Sequence, residues 1–133
     1  MRISSLSKLL FLMLSAGCLA GSGLAQGLTP PPADVAPKSA VKLVKKHKVL
    51  PLDVRTPEEY HAGHLQGARN LDIKSPEFAT QLAQLDTAQT YLVYCASGNR
   101  SSKAANMMRE KGLRHVINAG AYIKLKEAGA KTE

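Results

Sequence analysis

From residue 49 onward, short apolar runs alternate with segments whose apolar residues recur at helical spacing. That alternation predicts strands joined by helices. Residues 49–54 read as a strand, with Pro51 placed near an edge or at the start. Thr56-Pro57-Glu58-Glu59 then opens a helical turn. Thr56 can cap it, Pro57 suits the first helical position, and Glu59 can close a capping box. Gly63 ends that turn. Residues 68–73 suggest a second strand, and Ser75-Pro76-Glu77 opens a helix with Phe78, Leu82 and Leu85 on one face. Residues 91–94 form the most apolar strand, which places it centrally. A helix follows over residues 100–111 and stops at Gly112, residues 116–117 make a last strand, and residues 122–128 a final short helix. Upstream, Ser39 can cap a short helix whose apolar side is Val41, Leu43 and Val44. Strands and helices in this order predict an α/β fold: an open parallel sheet, flanked by helices on both faces, in a single small domain.

The N-terminal segment has a different pattern. Arg2 and Lys8 precede an apolar stretch that begins at Leu9 and runs to Ala20, and Gly23-Leu24-Ala25 supplies small residues before a cut after Ala25. Charge, apolar core and small-residue site in that order read as a secretory signal peptide over residues 1–25, with a core short for a membrane span. The rival reading is Ser15-Ala16-Gly17-Cys18, a loose lipoprotein box that would lipidate Cys18 and anchor the protein to a membrane. That box prefers a branched apolar residue where Ser15 stands. Residues 26–38 are proline-rich and read as an extended tether, leaving residues 39–133 as the domain. The expected location is periplasmic or secreted, with a lipid anchor through Cys18 as the alternative.

Charge changes the picture little. The formal net charge of the 133 residues is +8, of which Arg2 and Lys8 would leave with the signal peptide. Export and sparse aromatics (no Trp, two Phe, four Tyr) argue against a nucleic-acid partner. Lys42, Lys45, Lys46 and Lys48 read as the solvated face of a short helix, with some steering of small anions. His61 and His64 lie three apart but lack a third ligand, so no metal is expected. His47 and His115 have no partner in sequence. No cofactor is called for.

Chemistry concentrates where the central strand ends. Cys95 opens the run Cys95-Ala96-Ser97-Gly98-Asn99-Arg100-Ser101-Ser102, which becomes a helix. A thiol there lies under the positive end of a helix dipole and near free backbone N–H groups, both of which favour thiolate. Gly98 lets successive N–H groups face one point and form an anion nest. Arg100 and Lys103 add positive charge, and the loop is expected to be partly exposed. If cleavage follows Ala25, Cys95 is the only cysteine left and has no disulfide partner.

Two segments together resemble the rhodanese superfamily. The run from Leu52 to Asn70, beginning Leu52-Asp53-Val54-Arg55-Thr56-Pro57-Glu58-Glu59-Tyr60 and including Gly63-His64, is similar to its first signature. Cys95-Ala96-Ser97-Gly98-Asn99-Arg100-Ser101 is similar to its active-site loop. The likeness spans residues 39–120, and small size, signal peptide and the Val116-Ile117-Asn118-Ala119-Gly120 ending look most like the phage-shock-type members. The resemblance implies a sulfurtransferase. Cys95 would take a sulfane sulfur from a small anionic donor such as thiosulfate, becoming a persulfide, and pass it to a thiophilic acceptor such as cyanide or a thiol. Backbone N–H groups of Ala96, Ser97, Gly98, Asn99 and Arg100 would stabilise the anionic sulfur, and Arg100 would hold the sulfonate end of the donor. Asp53, Arg55 and Glu59 match positions that form a structural ion-pair cluster supporting the loop.

The chain departs from the pattern in two places. Many relatives carry a Gly-Gly pair and a Trp after the last strand, where this chain has Ala119-Gly120-Ala121-Tyr122. The phage-shock-type loop has its arginine one place earlier, at the position of Asn99. Two rivals share parts of this reading. A cysteine phosphatase needs Cys-x5-Arg, whereas Arg100 gives Cys-x4-Arg. A non-catalytic docking module usually lacks the cysteine. A thiol–disulfide oxidoreductase would need a second cysteine where Gly98 stands.

Overall fold

A computed structural model describes residues 34–133; residues 1–25, read above as a signal peptide, with Cys18 among them, and residues 26–33 of the expected tether lie outside the described residues. The described elements run α1 (Pro37–Lys45), β1 (Leu50–Asp53), α2 (Pro57–His61), β2 (Arg69–Asn70), α3 (Phe78–Ala83), β3 (Tyr91–Cys95), α4 (Asn99–Glu110), β4 (Val116–Ala121) and α5 (Tyr122–Glu127). The strands form one sheet in the order β2-β1-β3-β4, every neighbouring pair parallel.

β3 occupies the interior predicted for it, and all five of its residues are buried. Its side chains alternate between two apolar layers, as a strand covered on both faces requires. Tyr91 and Val93 meet Phe78 and Leu82 of α3 and Met108 of α4, whereas Leu92 and Tyr94 join Ala40 and Val41 of α1 and Leu125 of α5. Each such side chain taken fully out of water contributes roughly 1.5–3 kcal/mol. The sheet is thereby held from both sides.

Several boundaries differ from the sequence reading, each for a local reason. α1 begins at Pro37, not at a Ser39 cap: Ala36 is the N-cap, and its carbonyl accepts from Ser39 and Ala40 N–H at 2.9 and 3.0 Å. Pro37 lacks the N–H that a first helical turn cannot pair anyway, so residues 37–38 belong to the helix and not to the tether. Pro51 lies within an interior strand. Leu50 donates toward the β3 side, to Thr90 O at 2.9 Å, so the Pro51 nitrogen faces β2, whose pairing begins only at Leu52. No ladder bond is lost there.

β2 keeps two residues of the six expected. The chain turns at Asp72, whose carboxylate accepts from Lys74 N–H at 2.8 Å and whose carbonyl accepts from Ser75 N–H at 3.0 Å. Residues 75–77 form a turn ahead of α3, with Phe78 N–H bonded to Ser75 O at 3.1 Å. β4, by contrast, is longer than expected. Its register shifts so that Val93 faces Asn118 and Tyr94 faces Gly120, a bulge at Ala119. Asn118 Oδ1 supports it by accepting from Gly120 N–H at 3.1 Å. α2, by contrast, carries the capping box as read: Thr56 Oγ1 accepts from Glu59 N–H and Glu59 from Thr56 N–H.

Candidate active site

β3 delivers Cys95 to the carboxyl end of the sheet, where open parallel sheets place their ligands. Ala96, Ser97 and Gly98 turn the chain into α4. Gly98 has φ +100°, a left-handed conformation that favours glycine. This directs its N–H back onto Cys95 Sγ at 3.0 Å. The twelve residues of α4 follow directly, so their free N–H groups and dipole lie beside the sulfur.

The loop is partly exposed, as expected, but Cys95 itself is fully buried. As the last residue of β3 it pairs with Ala121 of β4, and only Ala96, Ser97 and Asn99 of the loop are exposed. Burial works against the anion and is the largest single influence on this thiol. The Ser101 hydroxyl and the backbone N–H groups of Ser101, Gly98 and Ser97 together outweigh it, and the pKa falls below the ordinary value. Ser101 is fully buried, and its hydroxyl also lies 3.0 Å from Gly98 O. With one proton for two acceptors, it bonds the carbonyl beside a thiol and is free to turn to a thiolate.

The charged residues sort into two ion pairs, not one cluster. Asp53, fully buried, takes Arg55 Nε at 3.0 Å and Nη2 at 2.6 Å, and Nη2 also donates to Gly63 O at 2.7 Å. The Arg55 guanidinium lies over the Tyr122 ring at 4.3 Å and the Tyr94 ring at 5.7 Å. Glu59 leaves this group and instead clasps Arg100 bidentately, Nη1 to Oε2 at 2.7 Å and Nη2 to Oε1 at 2.8 Å. The Arg100 bonds hold the Glu59 carboxyl down at about 2, and Glu59 in turn raises Arg100. α2 is thus tied to the first turn of α4. Lys103 is exposed on α4.

The histidines serve packing. His64 stacks on Tyr60 at 3.7 Å between ring centres, with Nδ1 2.9 Å from Tyr60 O, and His61 meets the same ring edge-on. Among the described residues no three His, Cys, Asp or Glu side chains gather as metal ligands.

Three residues near the site were not singled out from the sequence: Ser101, Tyr94 and Tyr122. Tyr94 OH accepts from Leu65 N–H at 3.0 Å, and burial together with Asp53 pushes its pKa up, so it stays neutral. A serine in the first turn of a helix that opens on a cysteine was a readable signal. The tyrosine stack depends on a register that the sequence does not display.

A buried, hydrogen-bonded cysteine at the carboxyl end of the central strand, roofed by a glycine turn into a helix, is an arrangement suited to a sulfur nucleophile in an α/β fold. The chain belongs to the rhodanese family: the family described as Rhodanese-like domain matches residues 36–124. It is 41% identical over 69 residues to the thiosulfate sulfurtransferase PspE of Escherichia coli (strain K12), covering 52% of this chain and 66% of that protein. It is 34% identical over 91 residues to the thiosulfate sulfurtransferase GlpE of Pseudomonas putida, covering 68% of this chain and 81% of that one. Among solved structures, a rhodanese with anions from E. coli superposes with a TM-score of 0.53 at 34% identity, over 63% of this chain and 95% of that chain. The protein is accordingly an enzyme of the sulfurtransferase class.

Proposed function

We propose that the protein moves a sulfane sulfur from thiosulfate or a similar small anion to a thiophilic acceptor through a persulfide on Cys95. The Cys95 thiolate attacks the outer sulfur of thiosulfate. A new S–S bond forms to Cys95, the old S–S bond breaks, and sulfite leaves with the electron pair. Cyanide or a thiolate then attacks the outer sulfur, and Cys95 departs again as thiolate. The two steps balance without an oxidant or a general base.

The observation that carries this reading is the sulfur held under Gly98 N–H at 3.0 Å with its pKa lowered. A thiolate preformed by fixed donors is a nucleophile at neutral pH. The same N–H groups of residues 96–100 would receive the charge of the persulfide, as oxyanion donors do elsewhere. Arg100, steadied by Glu59, holds the sulfonate of the donor through the N–H groups that Glu59 leaves free. Asp53 and Arg55 support the loop from beneath. Because Cys95 has no exposed surface, residues 96–98 must yield for the donor to reach it. In location, residues 1–25 export the protein to the periplasm or beyond, or Cys18 anchors it by a lipid; among the described residues no helix is long and apolar enough to cross a membrane.

Mass spectrometry after thiosulfate treatment tests the central step. Cys95 should gain one sulfur atom and lose it to cyanide, and Cys95→Ser should show neither the adduct nor turnover. Turnover retained in Cys95→Ser would refute the assignment. The N-terminus found in the same spectrum distinguishes cleavage after Ala25 from a lipidated Cys18.

A further inference from the structure

Lysines that are far apart in sequence meet on one side of the molecule. On α1, Lys38, Lys42 and Lys45 recur at i, i+4 and i+7 and are exposed, while Ala40 and Val41 of the same helix are buried. That spacing makes one outward stripe. Lys46 and Lys48 prolong it past the helix end. α5 covers the same face of the sheet beside α1 and adds exposed Lys124 and Lys126, with Lys131 just beyond.

These eight exposed lysines stand against three acids already engaged. Asp34 accepts from the Asn118 side chain at 2.7 Å, Glu133 from Gly67 N–H at 2.9 Å, and Glu127 pairs with Lys124 at 3.1 Å. Lys124 is the one lysine with an acidic partner among the described residues. Two apolar features share the surface. Ile123 on α5 is 53% exposed, the one large apolar side chain so exposed among the described residues. A recess of about 450 Å³ opens by the end of α1, lined by Val41, Val44 and Val49 together with Lys45 and Lys131.

We propose that the α1/α5 lysine face seats the protein on an anionic phospholipid surface. Exposed lysines, all but Lys124 without an acidic partner among the described residues, suit diffuse attraction to a plane of headgroups, where arginine forks would suit single phosphates. The exposed Ile123 and the apolar recess add contacts that acyl chains can use. A nucleic acid would instead want aromatic platforms, and no Phe or Tyr is exposed among the described residues. Cys95 and its loop take no part in this surface, so docking and sulfur transfer are separable.

Co-sedimentation of the full chain with vesicles tests it. Phosphatidylcholine vesicles containing phosphatidylglycerol should retain the protein at low salt, and pure phosphatidylcholine should not. At roughly fivefold per lysine near a charged surface, the combined change Lys42→Glu, Lys45→Glu and Lys126→Glu should weaken retention at least about a hundredfold. The same charge change placed elsewhere, Lys74→Glu, Lys111→Glu and Arg114→Glu, should weaken it far less. Thiosulfate–cyanide activity should survive in both variants, which reports that they fold. No retention of the unaltered protein, or equal losses in the two variants, would overturn the proposal. Tight binding to RNA or polyglutamate without vesicle binding would also overturn it, in favour of a macromolecular anion.

Discussion

Arg100 is where the structure most sharpens the chemistry, because its guanidinium is not idle. Glu59 holds it through two bonds of 2.7 and 2.8 Å, with the side chains 23% and 34% exposed. A carboxylate and a sulfonate want the same fork of donors. Under the proposed function, Arg100→Ala removes both the cation that meets the donor and the tie between α2 and α4. A lost charge-assisted hydrogen bond to the donor is worth about 1.5–3 kcal/mol, or roughly ten- to a hundredfold in kcat/KM for thiosulfate. Glu59→Gln keeps the cation and loses only its brace. Exposed pairs contribute about 0.2–1 kcal/mol, so this variant should lose no more than about fivefold. The brace should hold over most of the pH range, because Glu59 protonates only near about 2. Its stabilising contribution is complete above the ordinary glutamate pKa and is lost as the pH falls from there through about 2. Steady-state kinetics with thiosulfate and with a neutral persulfide donor separate the roles. Arg100→Ala should impair thiosulfate far more than the neutral donor, and Glu59→Gln should affect both alike and mildly. Equal losses with both donors in both variants would refute donor binding by Arg100 and leave the pair a purely structural clasp.

Two further substitutions probe the sulfur. Ser101→Ala removes a hydroxyl donor that helps lower the Cys95 pKa, while Gly98 O keeps Ser102 N–H at 3.1 Å. The thiol pKa should therefore rise, and the acidic limb of the activity profile should move to higher pH; an unmoved thiolate absorbance titration would show that Ser101 serves only Gly98. Gly98→Ala has room, since its Cβ would lie 3.6 Å from Gly120 Cα, but φ of +100° is strained for an L side chain. It should cost about 1–2 kcal/mol in denaturant unfolding and raise the Cys95 pKa as the N–H swings off the sulfur; full stability with unchanged alkylation kinetics near neutral pH would contradict the role given to that turn.

The sequence was most legible where one local pattern decided one element. The apolar run 91–94 had to be interior, the capping box at Thr56 and Glu59 had to start a helix, and Gly112 had to end α4. Cys95 and its loop were legible because a cysteine between a strand and a glycine turn is a chemical arrangement as well as a structural one. What failed to show were consequences of distant contacts. The partner of Glu59 is 41 residues away, and nothing in its own neighbourhood favours Arg100 over Arg55. The burial of Cys95 depends on Ala121 drawing alongside it, which follows from a bulge in β4 that the short apolar pair Val116-Ile117 does not announce. The Tyr94–Tyr122 stack at 5.8 Å has the same origin.

That bulge also bears on the altered ending of β4. Where relatives carry two glycines, this chain has Gly120 followed by Ala121. Gly120 has φ +77°, so it keeps the glycine that the turn demands, although a Cβ there would meet nothing within 4 Å. Ala121 sits at φ −89° and ψ 130°, extended backbone that any residue adopts, so replacing the second glycine costs no strain. The path of the chain beneath the loop is therefore compatible with the family pattern. The difference is one methyl group at the position in register with Cys95, beside a Tyr122 whose ring takes up the Arg55 guanidinium. Arg55 is thus held through Nε and Nη2 by Asp53 and Gly63 O, lies against Tyr122, and is buried. The Arg55 side chain is 6% exposed and that of Arg100 23%, so the proposed function gives the incoming anion to Arg100 and not to Arg55.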